Sequence, residues 1–534
     1  MRSQLALLVG AFTTLVGCSQ APQSPSPQIG EPTLVVYVVV DQLRGDLLDR
    51  YAAAFDGGFR RLMDEGMVFE GASHRHSTTT TAVGHATLST GVVPARHGLN
   101  GNSWSERRPD GSLVDVYAVA DSTAPIVGLP GVPGRSPANL MRDGLADWIL
   151  ERDPAARVVS LSAKDRAAIP MAGRARGHVY WIQREEGRFV TSTHYREAYP
   201  GWVADFNRSR MPLLLGDSVW QQSTPVGIRE LARPDPASYE GDGIHTTFPH
   251  VRSQETDGPM PYAQWNWSGG TPAPDRAVLE LAEVAVEELE LGRRGTVDYL
   301  ALSFSQTDYV GHGYGPLSQE QLDNLLRLDA VLGDLLDMLD RRVGPDRWVL
   351  GLSSDHGVMT TPEWLQHEGR GARRLELEDF RRIRELVSTA EAGGGGRQEV
   401  RDRIAEAVGA LDVVAQVYRT EELKSEGPDT LAALFAAATV PGRMTGILGA
   451  YDLHLLFREA VLARPGTGTT HGSPYWYDRH VPFILRGPGI PAVRRSDVAV
   501  HTVDMAPILA GLAGIPVPND LDGRVPEGLG RGVP

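Results

Sequence analysis

From Thr33 to Val40 the chain reads Thr-Leu-Val-Val-Tyr-Val-Val-Val, and it then meets Asp41. Successive side chains of a strand point to opposite faces, so a run that is apolar at nearly every position needs cover on both sides. That is the situation of an interior strand in a parallel sheet, and few folds provide it. Two later segments share the plan: Val297 to Phe304 leads to Asp308, and Trp348 to Leu352 leads to Ser353-Ser354-Asp355-His356. Helical patterns lie between them, as in Gln319 to Leu339, where leucines recur at positions 322, 325, 326, 328, 332, 335, 336 and 339. Strands alternating with helices predict an α/β fold with a doubly wound, mostly parallel central sheet and helices on both faces. In such sheets ligands bind beyond the carboxyl ends of the strands, where these acidic residues and histidines fall.

Two stretches interrupt the alternation inside a domain expected to run over residues 33–530. Arg174 to about Thr271 is rich in Trp, Tyr, Pro and Gly with weak periodicity, and reads as an insertion over the active site, a lid or substrate wall. Thr361 to Met444 is charged, with helical patterns at Glu376–Ala390 and Glu399–Ala410 around Gly393-Gly394-Gly395-Gly396. At the amino end, Arg2, the apolar run Leu5–Leu15 and Leu15-Val16-Gly17-Cys18 resemble a lipoprotein signal peptide over residues 1–17. Cleavage before Cys18 and lipidation of its thiol would anchor an exported bacterial protein to a membrane, facing the periplasm or the cell exterior. Residues 18–32, rich in Pro, Gln and Ser, read as the tether. Cys18 is the single cysteine, so the mature chain has neither disulfides nor cysteine metal ligands. A net charge of −15 argues against nucleic acid as a partner. A monomer is the default expectation.

The chemistry-bearing candidates, in chain order, are Asp41, Thr81, Asp308, His312, Asp355, His356 and His471. Three carboxylates, three imidazoles and a hydroxyl suit zinc held by nitrogen and oxygen. Asp308 and His312 are four apart, so one helical turn puts both on one side. His471 lies in the flexible loop Gly466 to Ser473, before the apolar strand Val481–Leu485. Singly, an Asp after a strand is commonly a helix cap and a His commonly structural. Their joint placement at successive strand ends gives the set its weight. His74-Arg75-His76 also has a spacing that could extend to a metal, but the better-placed set already fills two sites.

The sequence resembles the alkaline phosphatase superfamily, and within it the phosphate-irrepressible alkaline phosphatases, relatives of the nucleotide pyrophosphatase/phosphodiesterases. The matching motifs are Val39-Val40-Asp41-Gln42, Thr81-Ala82-Val83-Gly84-His85-Ala86-Thr87, Thr90-Gly91, His97 to Asn102, Lys164-Asp165-Arg166, Asp308-Tyr309-Val310-Gly311-His312, Ser354-Asp355-His356-Gly357 and Thr470-His471-Gly472-Ser473, with Val503 to Pro507 and Leu521 to Arg524 near the end. The resemblance implies two Zn2+ ions, one on Asp308, His312 and His471, the other on Asp41, Asp355, His356 and the Thr81 oxygen. It also selects Thr81 from the four hydroxyls of Thr78 to Thr81, because the family nucleophile stands four residues before the histidine that is here His85. Val83 departs from the proline usual in the family. Asn102, Lys164 and Arg166 are implied to contact the phosphoryl oxygens, and the Lys and Arg pair favours phosphate monoesters, whose dianion carries one more charged oxygen than a diester. The expected activity is hydrolysis of monoesters through a phosphothreonine. A phosphodiesterase using the same zinc site, with Trp181 or Tyr195 stacking on a base, is the alternative, and a non-catalytic phosphate-binding lipoprotein a remoter one.

Overall fold

The structure is a computed structural model that describes residues 31–241, 243, 245–252, 267–425, 430–527 and 529. Residues 1–17, expected as a signal peptide, Cys18 and nearly all of the expected tether lie outside the described residues. Nine strands build the main sheet: β1 Leu34–Val40, β2 Met67–Phe69, β3 Val158–Ser162, β4 His178–Gln183, β5 Arg188–Val190, β6 Asp298–Phe304, β7 Trp348–Ser353, β8 Phe483–Arg486 and β9 Val493–Arg495. Their spatial order is β9-β2-β8-β7-β1-β6-β3-β4-β5. The five strands from β7 to β4 run parallel, while β8 and β5 close the ends of that block in antiparallel pairing.

Every residue of β1, β6 and β7 is buried, as their unbroken apolar runs predict. The pleat of β1 serves two cores. Leu34, Val36, Val38 and Val40 join one, and Val35, Tyr37 and Val39 the other. The helices that position the site or cover the sheet are α1 Thr81–Thr90, α2 Leu145–Arg152, α3 Asp165–Met171, α4 Ala273–Glu288, α5 Gln306–Tyr314, α6 Gln319–Arg342 and α7 Met505–Leu512. Residues of α4 and α6 fill the first core, and those of α2, α3 and α7 the second, so helices cover both faces. Helix α6 begins where the Ser318 hydroxyl accepts the N–H of Gln321 at 3.0 Å, and Leu322, Leu325, Leu328, Leu332, Leu335, Leu336 and Leu339 form its buried stripe. The chain passes from β6 to β7 across β1, which makes the carboxyl end of β1 a switch point of the sheet, and Asp41 sits there.

The aromatic-rich stretch expected as an insertion from Arg174 does not start as one. Its first part is β4 and β5, with Trp181 paired to Ser162 on one side and Val190 on the other. Val203, Phe206, Met211 and Leu215 then enter the first core. The charged stretch folds around a core of its own that includes Leu375, Ile383, Ile404, Val408, Val414 and Leu453. Its helices Leu377–Ala392 and Arg397–Gly409 are joined by a two-stranded sheet of Val414–Arg419 and Leu453–Phe457, so the unit extends past Met444. Among the described residues no helix is long and apolar enough to cross a membrane.

Candidate two-metal active site

The residue after β1 carries the first signature of the site. Gln42 has φ 65°, a left-handed conformation that costs a non-glycine residue about 1–2 kcal/mol. Three hydrogen bonds hold it there: its N–H donates to Asp355 Oδ1 at 3.1 Å, its Nε2 to Asp308 Oδ1 at 2.6 Å, and the next N–H, of Leu43, to the Ser354 hydroxyl at 2.9 Å. The turn therefore ties β1 to the loop after β7 and to helix α5.

Two groups of ligand-type atoms converge around it. In the first, α5 places Asp308 and His312 one turn apart, with His312 Nε2 3.2 Å and His471 Nε2 3.5 Å from Asp308 Oδ1. In the second, Asp41, Asp355 and His356 are fully buried, and His356 Nε2 lies 3.6 Å from Asp41 Oδ1 and 3.3 Å from Asp355 Oδ2. Within each group the ligand atoms lie within 4.8 Å of one another. The far nitrogens set the tautomers. His312 Nδ1 donates to the Thr469 carbonyl at 2.8 Å, His471 Nδ1 to that of Thr79 at 2.6 Å and His356 Nδ1 to that of Gly357 at 3.1 Å. Each imidazole thus turns the lone pair of Nε2 toward the carboxylates, the arrangement that outer hydrogen bonds impose on metal ligands. Burial pushes the pKa values of His356 and His471 down, which keeps both rings neutral and able to coordinate. Asp41 Oδ1, Asp355 Oδ2 and His356 Nε2 are buried with no hydrogen-bond partner. Three electron-rich atoms left unsatisfied side by side are costly for a protein alone and fit a cation.

Lys164, at the amino end of α3, spans the two groups. Its ammonium donates to Asp41 Oδ2 at 2.6 Å and to Asp308 Oδ2 at 2.5 Å. Burial opposes its charge, but Asp308 and then Asp41 outweigh that and hold the proton more tightly than usual. Burial likewise works against the Asp308 carboxylate, and Lys164 with His312 overcomes it, leaving its pKa well below the ordinary range. Burial, followed by repulsion from Asp355, pushes Asp41 up.

Helix α1 opens at Thr81 and packs all ten of its residues inside the protein. Its approach is close: a Cβ on Gly84 would stand 2.1 Å from the Asp355 carbonyl oxygen. That contact seats the amino end of the helix, and so Thr81, beside the second ligand group. Asn102 Oδ1 accepts the N–H of Ala82 at 2.9 Å, placing its amide next to the first turn. His85 bonds the Thr81 carbonyl at 2.8 Å and the Ser303 hydroxyl at 2.8 Å, linking the helix to the end of β6. Arg166 is half-buried with Nε unpartnered, while its neighbour Asp165 is taken by Arg135 at 2.6 Å and by the Tyr117 hydroxyl at 2.5 Å. Asp41, Thr81, Asn102, Lys164, Arg166, Asp308, His312, Asp355 and His356 thus gather at the carboxyl ends of β1, β6, β7 and β3, and the loop before β8 brings His471 to them.

His74 and His76 lie apart from this set. They bond one another at 3.1 Å, His74 bonds the Ser354 carbonyl at 3.0 Å, and the Thr87 hydroxyl stands between His76 and His97. Their nitrogens brace α1 against the loop after β7. Trp181 and Tyr195, the stacking platforms of the diesterase alternative, are 2% and 9% exposed and belong to the second core, so neither can receive a base. Sequence reasoning gave no separate role to Gln42, His85 or Tyr309, whose ring lies 4.8 Å from the Lys164 ammonium. The available signal was adjacency, since each sits in a motif beside a ligand or the nucleophile candidate.

A parallel sheet whose central strand ends deliver two carboxylate and imidazole clusters, each able to hold a metal ion, beside a helix amino terminus has the parts of a candidate metal-dependent active site. The sequence profile of the Type I phosphodiesterase / nucleotide pyrophosphatase family matches residues 35–444, and the chain belongs to that family, within the alkaline phosphatase superfamily. It is 32% identical to alkaline phosphatase PhoV of Synechococcus elongatus over 95% of both chains. It is 31% identical to alkaline phosphatase PafA of Elizabethkingia meningoseptica over 94% of this chain and 95% of the other. The crystal structure of wild-type alkaline phosphatase PafA superposes with a TM-score of 0.84 at 28% identity, covering 94% of this chain and 99% of that one.

Proposed function

We propose that the protein is an alkaline phosphatase, hydrolysing phosphate monoesters with Thr81 as nucleophile. Asp308, His312 and His471 would hold one zinc ion and Asp41, Asp355, His356 and the Thr81 oxygen a second. Bound there, the pair would acidify the hydroxyl and offset charge on the departing oxygen. The Thr81 oxygen attacks phosphorus, the ester oxygen leaves with the bonding electrons, and water then cleaves the phosphothreonine to release inorganic phosphate. The amino end of α1 brings its positive dipole end to the phosphoryl group. Asn102, its Oδ1 committed to Ala82, has Nδ2 free to donate to a phosphoryl oxygen.

The observation that carries the monoester reading is Lys164, a buried ammonium fixed between the two ligand groups, followed two residues later by Arg166 with its Nε unpartnered. Two cations there compensate a dianion and are superfluous for a singly charged diester. The same reading takes residues 1–17 as a lipoprotein signal peptide and Cys18 as the lipidated residue, with one catalytic domain over residues 33–530 acting as an exported, membrane-anchored monomer. Thr81→Ala is the test of the nucleophile. Monoester turnover is expected to fall by at least about a thousandfold while the zinc held by Asp308, His312 and His471 is retained. Retained turnover would remove Thr81 from the role.

A further inference from the structure

Arg184 occupies the turn between β4 and β5 at the rim of the site and is exposed. Its guanidinium donates through Nη2 to the Tyr309 hydroxyl at 2.8 Å and lies 5.5 Å from the centre of that ring. The Lys164 ammonium stands 4.8 Å from the same ring centre. Lys164 and Arg184 therefore share one ring, with Arg166 two residues beyond Lys164 in the chain, so positive charge extends from the buried carboxylates to an exposed guanidinium in a chain whose net charge is −15.

The acidic neighbours of Arg184 are all engaged elsewhere. Glu185 accepts from the Gln183 amide, Glu186 lies 3.2 Å from Arg188, and Asp165 is held by Arg135 and Tyr117. Among the described residues no carboxylate forms an ion pair with Arg184. Lys164 is compensated by Asp41 and Asp308, whereas Arg166 and Arg184 form no ion pair among the described residues, and an anion relieves their charge. A guanidinium fastened by one N–H keeps its remaining donors for bidentate contact with phosphate oxygens.

We propose that Arg184, oriented by Tyr309, is a rim subsite for a second phosphate group, so that the preferred monoesters are bisphosphates whose two phosphates share one small alcohol. This rests on the monoesterase reading. While one phosphate lies at Lys164 and Arg166, the other reaches Arg184. Arg184 has no part in bond cleavage.

The test uses the zinc-loaded full chain and a series of alkanediols of increasing length, each as monophosphate and bisphosphate. One chain length is expected to show about a tenfold higher kcat/KM for the bisphosphate, a preference that shrinks as salt rises from about 0.05 to 0.5 M. Arg184→Gln should reduce that ratio to about two, the statistical factor for two equivalent phosphates, and leave the monophosphate within about twofold of wild type. Calorimetric binding of non-hydrolysable alkane bisphosphonates and alkylphosphonates should show the same contrast without turnover. A wild type that never prefers two phosphates, or a variant that weakens both ligands equally, overturns the subsite. Absent turnover with the bisphosphonate contrast intact overturns the phosphatase reading and upholds the subsite.

Discussion

Gly84→Ala perturbs the site without touching a chemical group. The new Cβ would stand 2.1 Å from the Asp355 carbonyl oxygen and 2.6 Å from its carbonyl carbon and Cα, where 3.0 Å is the practical limit of approach. Either α1 or the loop after β7 must retreat by about 1 Å. Neither has room, because every residue of the helix is buried and Asp355 is pinned by Gln42. Overpacking of this kind costs about 1–3 kcal/mol, and a 1 Å displacement of reacting groups about a hundredfold in rate. Urea unfolding should therefore show a loss near the top of that range, and kcat/KM on a monoester should fall by about a hundredfold or more. Gly201→Ala serves as the control, since a Cβ there meets nothing within 4 Å and the residue opens a helix, so stability should hold or rise by up to about 1 kcal/mol. Wild-type rate and stability in Gly84→Ala would refute the claim that this contact seats the nucleophile.

Gln42→Ala keeps the left-handed backbone and removes the bond to Asp308, so zinc affinity measured against a chromophoric chelator should weaken by about 10- to 100-fold. Unchanged affinity would reduce Gln42 to a turn residue. Asp275 accepts the N–H groups of Ser305 and Gln306 at the end of β6, and burial pushes its carboxyl up to about 7. Because this folded pKa lies above the unfolded value of about 3.9, the stability Asp275 contributes is full below pH ~4 and is lost as pH rises through about 7. Asp275→Asn keeps an acceptor and cannot titrate, so its stability relative to wild type should improve with rising pH across that window, by on the order of 4 kcal/mol in all. Parallel pH profiles would contradict the assignment.

The parts of the fold that were legible in the sequence are those governed by short-range pattern. β1, β6 and β7 announce themselves because both of their faces are covered, and Asp308 with His312 because one helical turn separates them. β4 and β5 were hidden because two short strands full of aromatics resemble a Trp- and Tyr-rich excursion. Their burial depends on where β3 lies, which no local pattern encodes. The strand Leu453–Phe457 escaped for a similar reason, since its partner at Val414–Arg419 is more than thirty residues away. In the site, residue types and their place at successive strand ends were readable, and the contacts that fix them to one another were not. The left-handed turn at Gln42 is imposed by Asp355 and Asp308, residues far along the chain, and a glutamine carries no local preference for it. Thr81 stood out from its three neighbours through a motif, and the physical distinction is that helix α1 begins there.

Central to the proposed function is the fit of Lys164 and Arg166, beside the candidate metal-binding groups, to a phosphate dianion. The most direct measurement is kcat/KM of the zinc-loaded protein on p-nitrophenyl phosphate and on bis-p-nitrophenyl phosphate, for wild type and for Lys164→Ala with Arg166→Ala. A strong wild-type preference for the monoester that collapses by about a hundredfold or more in the double variant is the predicted result. Preference for the diester, or a monoester preference that survives loss of both cations, would contradict it.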